Sequence, residues 1–156
     1  SVNAALREII NCRKPSVVAL FSPLPDEVDI TPVIEYLVEQ NQCLVVLPRV
    51  DIKADKPTME FYPYRKAEME VGSYGINEPQ GDEPCPAEAI DLMVVPPVAF
   101  TRRGERLGRG KGFYDCYLSR EEFRAYTVGV CYSHQLLDSL PTEPHDCRVD
   151  EVVVGE

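Results

Sequence analysis

Two apolar runs separated by one amphipathic segment restrict the fold of this chain more than any other feature. Residues 17–21 (VVALF) and 43–47 (CLVVL) are continuously apolar, which is typical of strands buried on both faces of a parallel sheet. Between them, residues 32–40 carry apolar side chains at helical spacing. A strand, a helix and a second strand in this order predict a right-handed crossover and therefore a parallel sheet.

The remaining segments extend the same pattern. Proline opens the helix predicted at 32–40, Thr31 is its expected N-terminal cap, and its expected buried stripe is Val33, Ile34, Leu37 and Val38. Other predicted helices cover 3–12 and 114–124, with a short helical turn at 135–140; other predicted strands cover 58–62, 90–95, 126–131 and 151–154. We therefore predict a three-layer, Rossmann-like α/β domain with a mostly parallel sheet and helices on both faces.

Residues 106–112 (RLGRGKG) form the most distinctive motif of the chain. Glycine lets a ligand approach the backbone closely, and a glycine-rich loop can turn several N–H groups toward one anion. Arg106, Arg109 and Lys111 add positive charge to a chain whose formal net charge is -10. The spacing matches neither GxxxxGK[ST] nor GxGxxG, so the loop alone predicts either a phosphate site or a surface turn. The N-terminus of the helix predicted at 114–124 would favour an anion there.

Asp115 lies three positions after Gly112, the last residue of this loop. Carboxylates and phosphate oxygens are common ligands of Mg²⁺, but an acid in the first turn of a helix is also favourable without a metal. Asp146, just before the last predicted strand, could share that metal or could be a turn residue. His134 and His145 have no zinc-site spacing, and the sequence has no GxSxG motif, so neither a zinc site nor a hydrolase triad is predicted.

In a parallel sheet, ligands bind beyond the carboxyl ends of the strands. The predicted strand ends carry residues 23–29, 48–49, 96–112 and 132–134, so the glycine-rich loop can lie at this edge of the sheet. Glu27 and Glu78 each lie beside a proline-bounded strand end. Taken alone, either residue is typical of a solvated loop acid.

The composition excludes several classes of protein. No apolar run approaches the ~20 residues of a membrane-spanning helix, so we expect no membrane association. The acidic balance disfavours nucleic acid as a general partner, although it allows a nucleotide in one basic pocket. Six scattered cysteines without a CxxC pair favour reduced thiols in the cytoplasm over a disulfide framework. We expect a cytoplasmic monomer that acts on small molecules.

Residues 106–118 (RLGRGKGFYDCYL) resemble the signature of the 5-formyltetrahydrofolate cyclo-ligase family, whose members are also called methenyltetrahydrofolate synthetases. The resemblance covers nearly the whole chain, because further blocks occur in the family's order: 25–29 (PDEVD), 47–50 (LPRV), 74–79 (YGINEP), 91–96 (DLMVVP) and 144–146 (PHD). It implies an enzyme that uses ATP and Mg²⁺ to convert 5-formyltetrahydrofolate to 5,10-methenyltetrahydrofolate. The formyl oxygen is phosphorylated first, and phosphate leaves as the ring closes.

The resemblance also implies roles for single residues. The ATP-binding residues would be Arg106, Leu107, Gly108, Arg109, Gly110, Lys111, Gly112, Phe113 and Tyr114. Among them, the catalytic residues would be Arg109, Lys111 and Tyr114. Arg109 and Lys111 would carry the charge of the transferred phosphoryl group, and Tyr114 would line the folate site. The magnesium ligands would be Asp115 and Asp146. The folate would contact Glu27, with Tyr74, Glu78 and Met59 as further substrate-binding residues.

Two departures from the family pattern affect these expectations. The family begins with a basic helix that helps to bind ATP, whereas residues 1–14 resemble its second helix. We therefore expect 1–156 to be a single cyclo-ligase domain without that first helix, and we assign no ATP contact to Arg7, Arg13 or Lys14. Phe113 stands where many members have tyrosine, a change from which we expect a modest effect.

Two other functions are compatible with the residues. One is a non-catalytic relative that binds folate or nucleotide, and the other is a nucleotide-binding α/β module with an unknown substrate. Formation of methenyltetrahydrofolate from 5-formyltetrahydrofolate and Mg·ATP separates both of these from a cyclo-ligase.

Overall fold

The apolar runs form the strands of a central sheet. The computed structural model describes residues 1–52, 58–72, 77–108, 112–141 and 147–155. The helices are α1 (Val2–Arg13), α2 (Thr31–Gln40) and α3 (Phe113–Leu118). The strands are β1 (Val17–Ala19), β2 (Leu44–Asp51), β3 (Thr58–Pro63), β4 (Glu70–Val71), β5 (Asn77–Glu78), β6 (Leu92–Val95), β7 (Ala99–Phe100), β8 (Arg106–Leu107), β9 (Tyr126–Tyr132) and β10 (Glu151–Gly155).

The central sheet has six strands in the order β10-β9-β6-β1-β2-β3. Its first five strands are parallel, and β3 is antiparallel to β2 at the edge. Val18 lies opposite Val45 on one side and Leu92 on the other, so β1 and β6 are neighbours although β2 follows β1 in the chain. The chain thus winds outward in two directions from this pair. In doubly wound sheets, the crevice at such a switch point is where ligands bind.

Alternate residues of the buried strands face opposite layers of the core. Val18 and Leu92 belong to the layer that contains buried residues of α1 and α2. Ala19 and Met93 belong to the opposite layer, which contains Tyr117 of α3. Helices therefore cover both faces of a mostly parallel sheet, and the predicted three-layer α/β architecture is confirmed.

Several predicted details of α2 are wrong. Thr31 is not the cap: it is already the first residue of the helix, Ile30 occupies the cap position, and Asp29 Oδ1 accepts the Thr31 N–H at 3.0 Å. Val38 is 45% exposed, so the buried stripe contains only the other three predicted residues. The carboxylate of Asp29 thus accepts a hydrogen bond at the start of the helix, the role expected of the Thr31 hydroxyl.

The helix after the glycine-rich loop is much shorter than predicted. α3 ends at Leu118, whereas the prediction extended to residue 124. Ser119 donates its hydroxyl to Cys116 O at 2.9 Å, which satisfies one carbonyl of the last turn. Arg120 then turns toward β3 instead of continuing the helix. The turn predicted at 135–140 is likewise displaced, because the 3₁₀ turn covers Ser133–Gln135.

Gly129 in β9 has no room for a side chain. A Cβ at this position would lie 2.3 Å from Cζ of the fully buried Phe100. Gly129→Ala is therefore expected to lower the free energy of unfolding by about 1–3 kcal/mol, since overpacking displaces a core ring. Urea unfolding measures this. The control is Gly81→Ala, whose methyl would meet only Tyr62 Cδ2 at 3.7 Å; an equal loss in both variants would contradict the steric account.

All six cysteines are free thiols in the structure. Burial raises the pKa of the Cys131 thiol to about 11, so it stays protonated in the core. Across the described ranges, no helix has the length and apolar character needed to span a membrane.

Candidate functional site

Glu27 lies in the turn that follows β1, at the switch point. Its carboxylate accepts the Leu24 N–H at 2.8 Å, while its own N–H donates to Leu24 O at 2.9 Å. From the carboxyl end of β9, the Tyr132 hydroxyl donates to Glu27 O at 3.4 Å. Glu27 is only 7% exposed. The turn therefore fixes a buried carboxylate beside the crevice, and its two oxygens can accept further hydrogen bonds.

Arg106 is a buried cation at the base of the glycine-rich loop. Its Nε donates to Pro96 O, just past the end of β6, at 2.9 Å. Its guanidinium carbon lies 4.9 Å from the centroid of the Tyr114 ring, within the range of a cation–π contact. Arg106 thus connects the end of β6 to Tyr114, two residues past the loop.

Tyr114 lies between a positive and a negative group. Desolvation raises the pKa of its phenol well above the ordinary value, Arg106 partly offsets this, and the charge of Glu27 raises it further. The hydroxyl therefore remains protonated and can donate a hydrogen bond at any physiological pH. Glu27 is distant in sequence from Arg106 and Tyr114, which flank the glycine-rich loop, and the fold brings the three together.

The described glycines of the loop serve different purposes. A Cβ on Gly108 would lie 2.6 Å from Nη1 of Arg106, so this glycine makes room for the guanidinium. Gly112 has a φ of 72°, and a Cβ there would have no neighbour within 4 Å. Glycine is needed at 112 because that backbone conformation is costly for other residues. Leu107, just before Gly108, is 39% exposed.

Arg109, Gly110 and Lys111 lie outside the described residues, so their predicted contacts to ATP stay predictions. The observed α3 has only six residues, which weakens the expected role of its dipole. Phosphate binding by this loop would therefore depend on its cations and backbone N–H groups.

Asp115 lies in the first turn of α3 and has one unusual atom. Its Oδ1 is buried, and no described residue donates a hydrogen bond to it. A buried acceptor without a donor is costly, and a divalent cation would satisfy it. Among the described residues, no three His, Cys, Asp or Glu side chains form a metal-binding cluster. Asp146, the predicted second ligand, is not among them. Asp115 therefore fits a Mg²⁺ ligand, and the pairing with Asp146 stays a prediction.

A second feature is a cleft of about 340 Å³ between β2, β3 and the β4-β5 pair. Its lining includes Arg49, Val50, Glu60, Tyr62, Glu70 and Glu78. Arg49 lies over the Tyr62 ring at 3.7 Å and donates to Gly81 O at 2.9 Å. The described lining of the cleft is thus rich in hydrogen-bond acceptors, and its one described cation, Arg49, is already engaged.

Glu78 is held at the floor of this cleft. Its Oε2 accepts the Val50 N–H at 2.9 Å, and its carboxylate lies so close to Gly72 that a Cβ there would clash. Burial raises the pKa of Glu78, while the Val50 N–H and Arg49 partly lower it. Glu78 is therefore a buried acid that ionises less readily than an exposed glutamate.

The raised pKa of Glu78 predicts a pH-dependent stability. The protonated side chain costs little, so its contribution is fully present below the ordinary pKa of about 4.5 and is lost as pH rises through the raised pKa. Glutamine remains neutral and can still accept the Val50 N–H. Glu78→Gln should therefore gain stability relative to wild type between pH 4.5 and pH 8, measured by urea unfolding. A stability difference that does not change with pH would contradict the burial of this carboxyl.

The other predicted substrate residues have different positions. Met59 is 4% exposed and packs in the same core layer as Phe61 and Tyr117, so its side chain is part of the core. Tyr74 lies outside the described residues. Sequence reasoning missed the roles of Arg49 and Glu60 in the cleft. The alternating pattern of β3, which turns Glu60 away from the core, was the available signal.

The fold and these side chains define a doubly wound α/β protein with polar groups gathered at its switch point and a glycine-rich cationic loop beside them. The profile of the 5-formyltetrahydrofolate cyclo-ligase family matches residues 1–155. The chain therefore belongs to the 5-formyltetrahydrofolate cyclo-ligase family, a family of ligases in folate metabolism.

Individual relatives agree with this assignment. The mouse 5-formyltetrahydrofolate cyclo-ligase is 30% identical over 146 residues, covering 87% of this chain and 71% of the mouse protein. The Haemophilus influenzae enzyme of the same name is 31% identical over 159 residues, covering 99% and 84%. The solved structure of Aquifex aeolicus 5,10-methenyltetrahydrofolate synthetase superposes with a TM-score of 0.81 at 34% identity, covering 98% of this chain and 75% of that chain.

Proposed function

We propose that this protein converts 5-formyltetrahydrofolate to 5,10-methenyltetrahydrofolate and consumes ATP in the process. Membership of the family supports the reaction. The observation that carries the dependence on Mg·ATP is the buried Oδ1 of Asp115, which no described donor reaches and which lies just after the cationic glycine-rich loop.

The proposed reaction has two bond-forming steps. The formyl oxygen attacks the γ-phosphorus of ATP, and the bond to the β–γ bridging oxygen breaks as ADP leaves. The 10-nitrogen then attacks the activated formyl carbon and loses its proton. Phosphate leaves with the former formyl oxygen, so the five-membered ring closes as a methenyl cation. This sequence needs no covalent nucleophile from the protein.

The protein's part in the first step is to position the reactants and balance charge. Phosphoryl transfer depends mainly on these two effects. Arg109 and Lys111 would neutralise the phosphoryl oxygens, and Tyr114, which stays protonated, would donate a hydrogen bond beside them. Arg106 would act indirectly, because its buried guanidinium supports the Tyr114 ring and the backbone at Gly108.

Carboxylates would hold the other reacting partners. Asp115 and Asp146 would hold Mg²⁺, which neutralises charge on the phosphates when it is bound. Glu27 is a buried acceptor at the switch-point crevice, and Glu78 is a buried acceptor in the cleft beside β2 and β3. A reduced pterin offers N–H donors that match them. The folate is therefore proposed to lie against Glu27 and to extend toward the cleft of Glu78.

The test is to mix the purified protein with 5-formyltetrahydrofolate and Mg·ATP and to follow the absorbance of methenyltetrahydrofolate. We expect an increase in this absorbance that requires ATP, with one ADP formed for each methenyltetrahydrofolate. Folate binding without any product would instead indicate a non-catalytic relative. Product formation without ATP consumption would contradict the proposed phosphorylation.

A further inference from the structure

The helix that carries Tyr114 and Asp115 packs against β3 at the edge of the sheet. α3 has six residues and so cannot be stable by itself. Its Tyr117 is 1% exposed and makes an edge-to-face contact with Phe61 of β3, with ring centroids 4.9 Å apart. The position of α3 therefore depends on the antiparallel edge strand.

Arg120 makes the strongest polar connection between these two elements. Its Nη1 donates to Glu60 Oε1 at 2.9 Å and its Nη2 donates to Glu60 Oε2 at 2.7 Å. Nη2 also donates to Met59 O at 3.2 Å, and the guanidinium carbon lies 4.3 Å from the centroid of the Tyr117 ring. A two-pronged arginine–carboxylate contact fixes orientation as well as distance. Arg120 thus joins the end of α3 to β3 in one geometry.

Glu60 also lines the cleft of Glu78. The Arg120–Glu60 pair therefore connects two parts of the proposed site. On one side is the helix with Tyr114 and Asp115, where the nucleotide would react. On the other side is the wall of the cleft toward which the folate would extend.

We propose that Arg120 is a positioning residue for the reaction. Through Glu60 it fixes the position of α3, and therefore of Tyr114 and Asp115, relative to the cleft of Glu78. This inference rests on the proposed function. Arg120 itself touches neither substrate. Removing it should leave the substrates bound but misaligned.

The chain offers a matched control four residues further on. Arg124 also contacts one carboxylate and one carbonyl, through Nη2 to Asp91 Oδ1 at 2.8 Å and Nε to Glu88 O at 2.8 Å. Asp91 immediately precedes β6, so this contact lies at the amino end of the strands, away from the site. Arg120→Gln and Arg124→Gln therefore each remove an arginine–carboxylate and an arginine–carbonyl contact, the first at the edge strand β3 and the second at the amino end of β6.

We expect Arg120→Gln to lower kcat by about 100-fold, the loss typical of a small misplacement of reacting groups, while KM for either substrate changes much less. Arg124→Gln, which removes a more exposed pair, should keep kcat within about twofold of wild type, and its thermal midpoint should fall no further than that of Arg120→Gln. Arg120→Lys keeps the charge without the two-pronged contact and should give an intermediate kcat.

Glu60→Gln and the double variant test whether Arg120 acts through Glu60. If it does, the double variant should be no slower than the slower single variant, because one contact is being removed twice. Equal kcat losses in Arg120→Gln and Arg124→Gln, or losses that multiply in the double variant, would overturn the role of Arg120. An active wild-type protein would leave the proposed function intact in either case. An inactive wild type would overturn both.

Discussion

Replacing Lys111 with alanine is expected to lower kcat by on the order of 10³-fold without changing the fold. Lys111 belongs to the cationic loop that resembles the family's phosphate-binding signature. Phosphoryl transfer gains most of its acceleration from groups that balance charge on the moving phosphoryl oxygens, and removing one preorganised donor commonly costs 10²–10³ in kcat. Steady-state kinetics with saturating Mg·ATP and 5-formyltetrahydrofolate measures the loss.

The matched control for Lys111→Ala is Lys66→Ala. Lys66 is an exposed lysine in a 3₁₀ turn, so its removal changes the net charge equally and touches no part of the site. Circular dichroism and the thermal midpoint should match wild type in both variants. A Lys111→Ala protein with near-native kcat would remove this lysine from the mechanism.

Asp115→Asn is expected to separate metal dependence from stability. Asparagine keeps the shape of the side chain but removes its charge. The Mg²⁺ concentration for half-maximal activity should therefore rise about 100-fold. Loss of a residue that only supports a metal ligand typically costs about 10- to 100-fold, and loss of a direct ligand should cost at least as much. The free energy of unfolding in the absence of metal should not fall, because the variant also removes a buried charged oxygen that no described donor satisfies.

Magnesium titrations of activity, together with urea unfolding in EDTA, measure both effects. The control is Asp82→Asn, which removes an equal charge from an exposed loop. An unchanged magnesium requirement in Asp115→Asn would contradict the metal assignment. A large loss of stability without any change in magnesium dependence would make Asp115 a structural residue of the first turn of α3.

The sheet could be predicted from the sequence because its signal is local. Continuous apolar runs such as 43–47 leave few alternatives to buried parallel strands, and the structure confirms them. The ends of helices depend on contacts between distant residues. α3 ends where Arg120 reaches Glu60, sixty positions earlier in the chain, and no periodicity of residues 114–124 contains that information.

In the candidate site, too, local features could be predicted and contacts between distant residues could not. The motif of residues 106–115 located the loop and the acid that follows it, because short spacings encode both. The buried position of Arg106 could not be predicted, since it depends on the carbonyl of Pro96 and on the ring of Tyr114. The cleft around Glu78 was also missed as a unit, because it forms only when β3 pairs with β2 and β5 approaches the same strand.

The most direct test of the account is to follow the formyl oxygen during turnover. With ¹⁸O in the formyl group of 5-formyltetrahydrofolate, wild-type protein and Mg·ATP, the released inorganic phosphate can be analysed by mass spectrometry. Phosphorylation of the formyl oxygen predicts one ¹⁸O atom in each phosphate, with one ADP and one methenyltetrahydrofolate formed alongside it. Unlabelled phosphate, with ¹⁸O in water instead, would contradict the proposed transfer of the phosphoryl group to the folate.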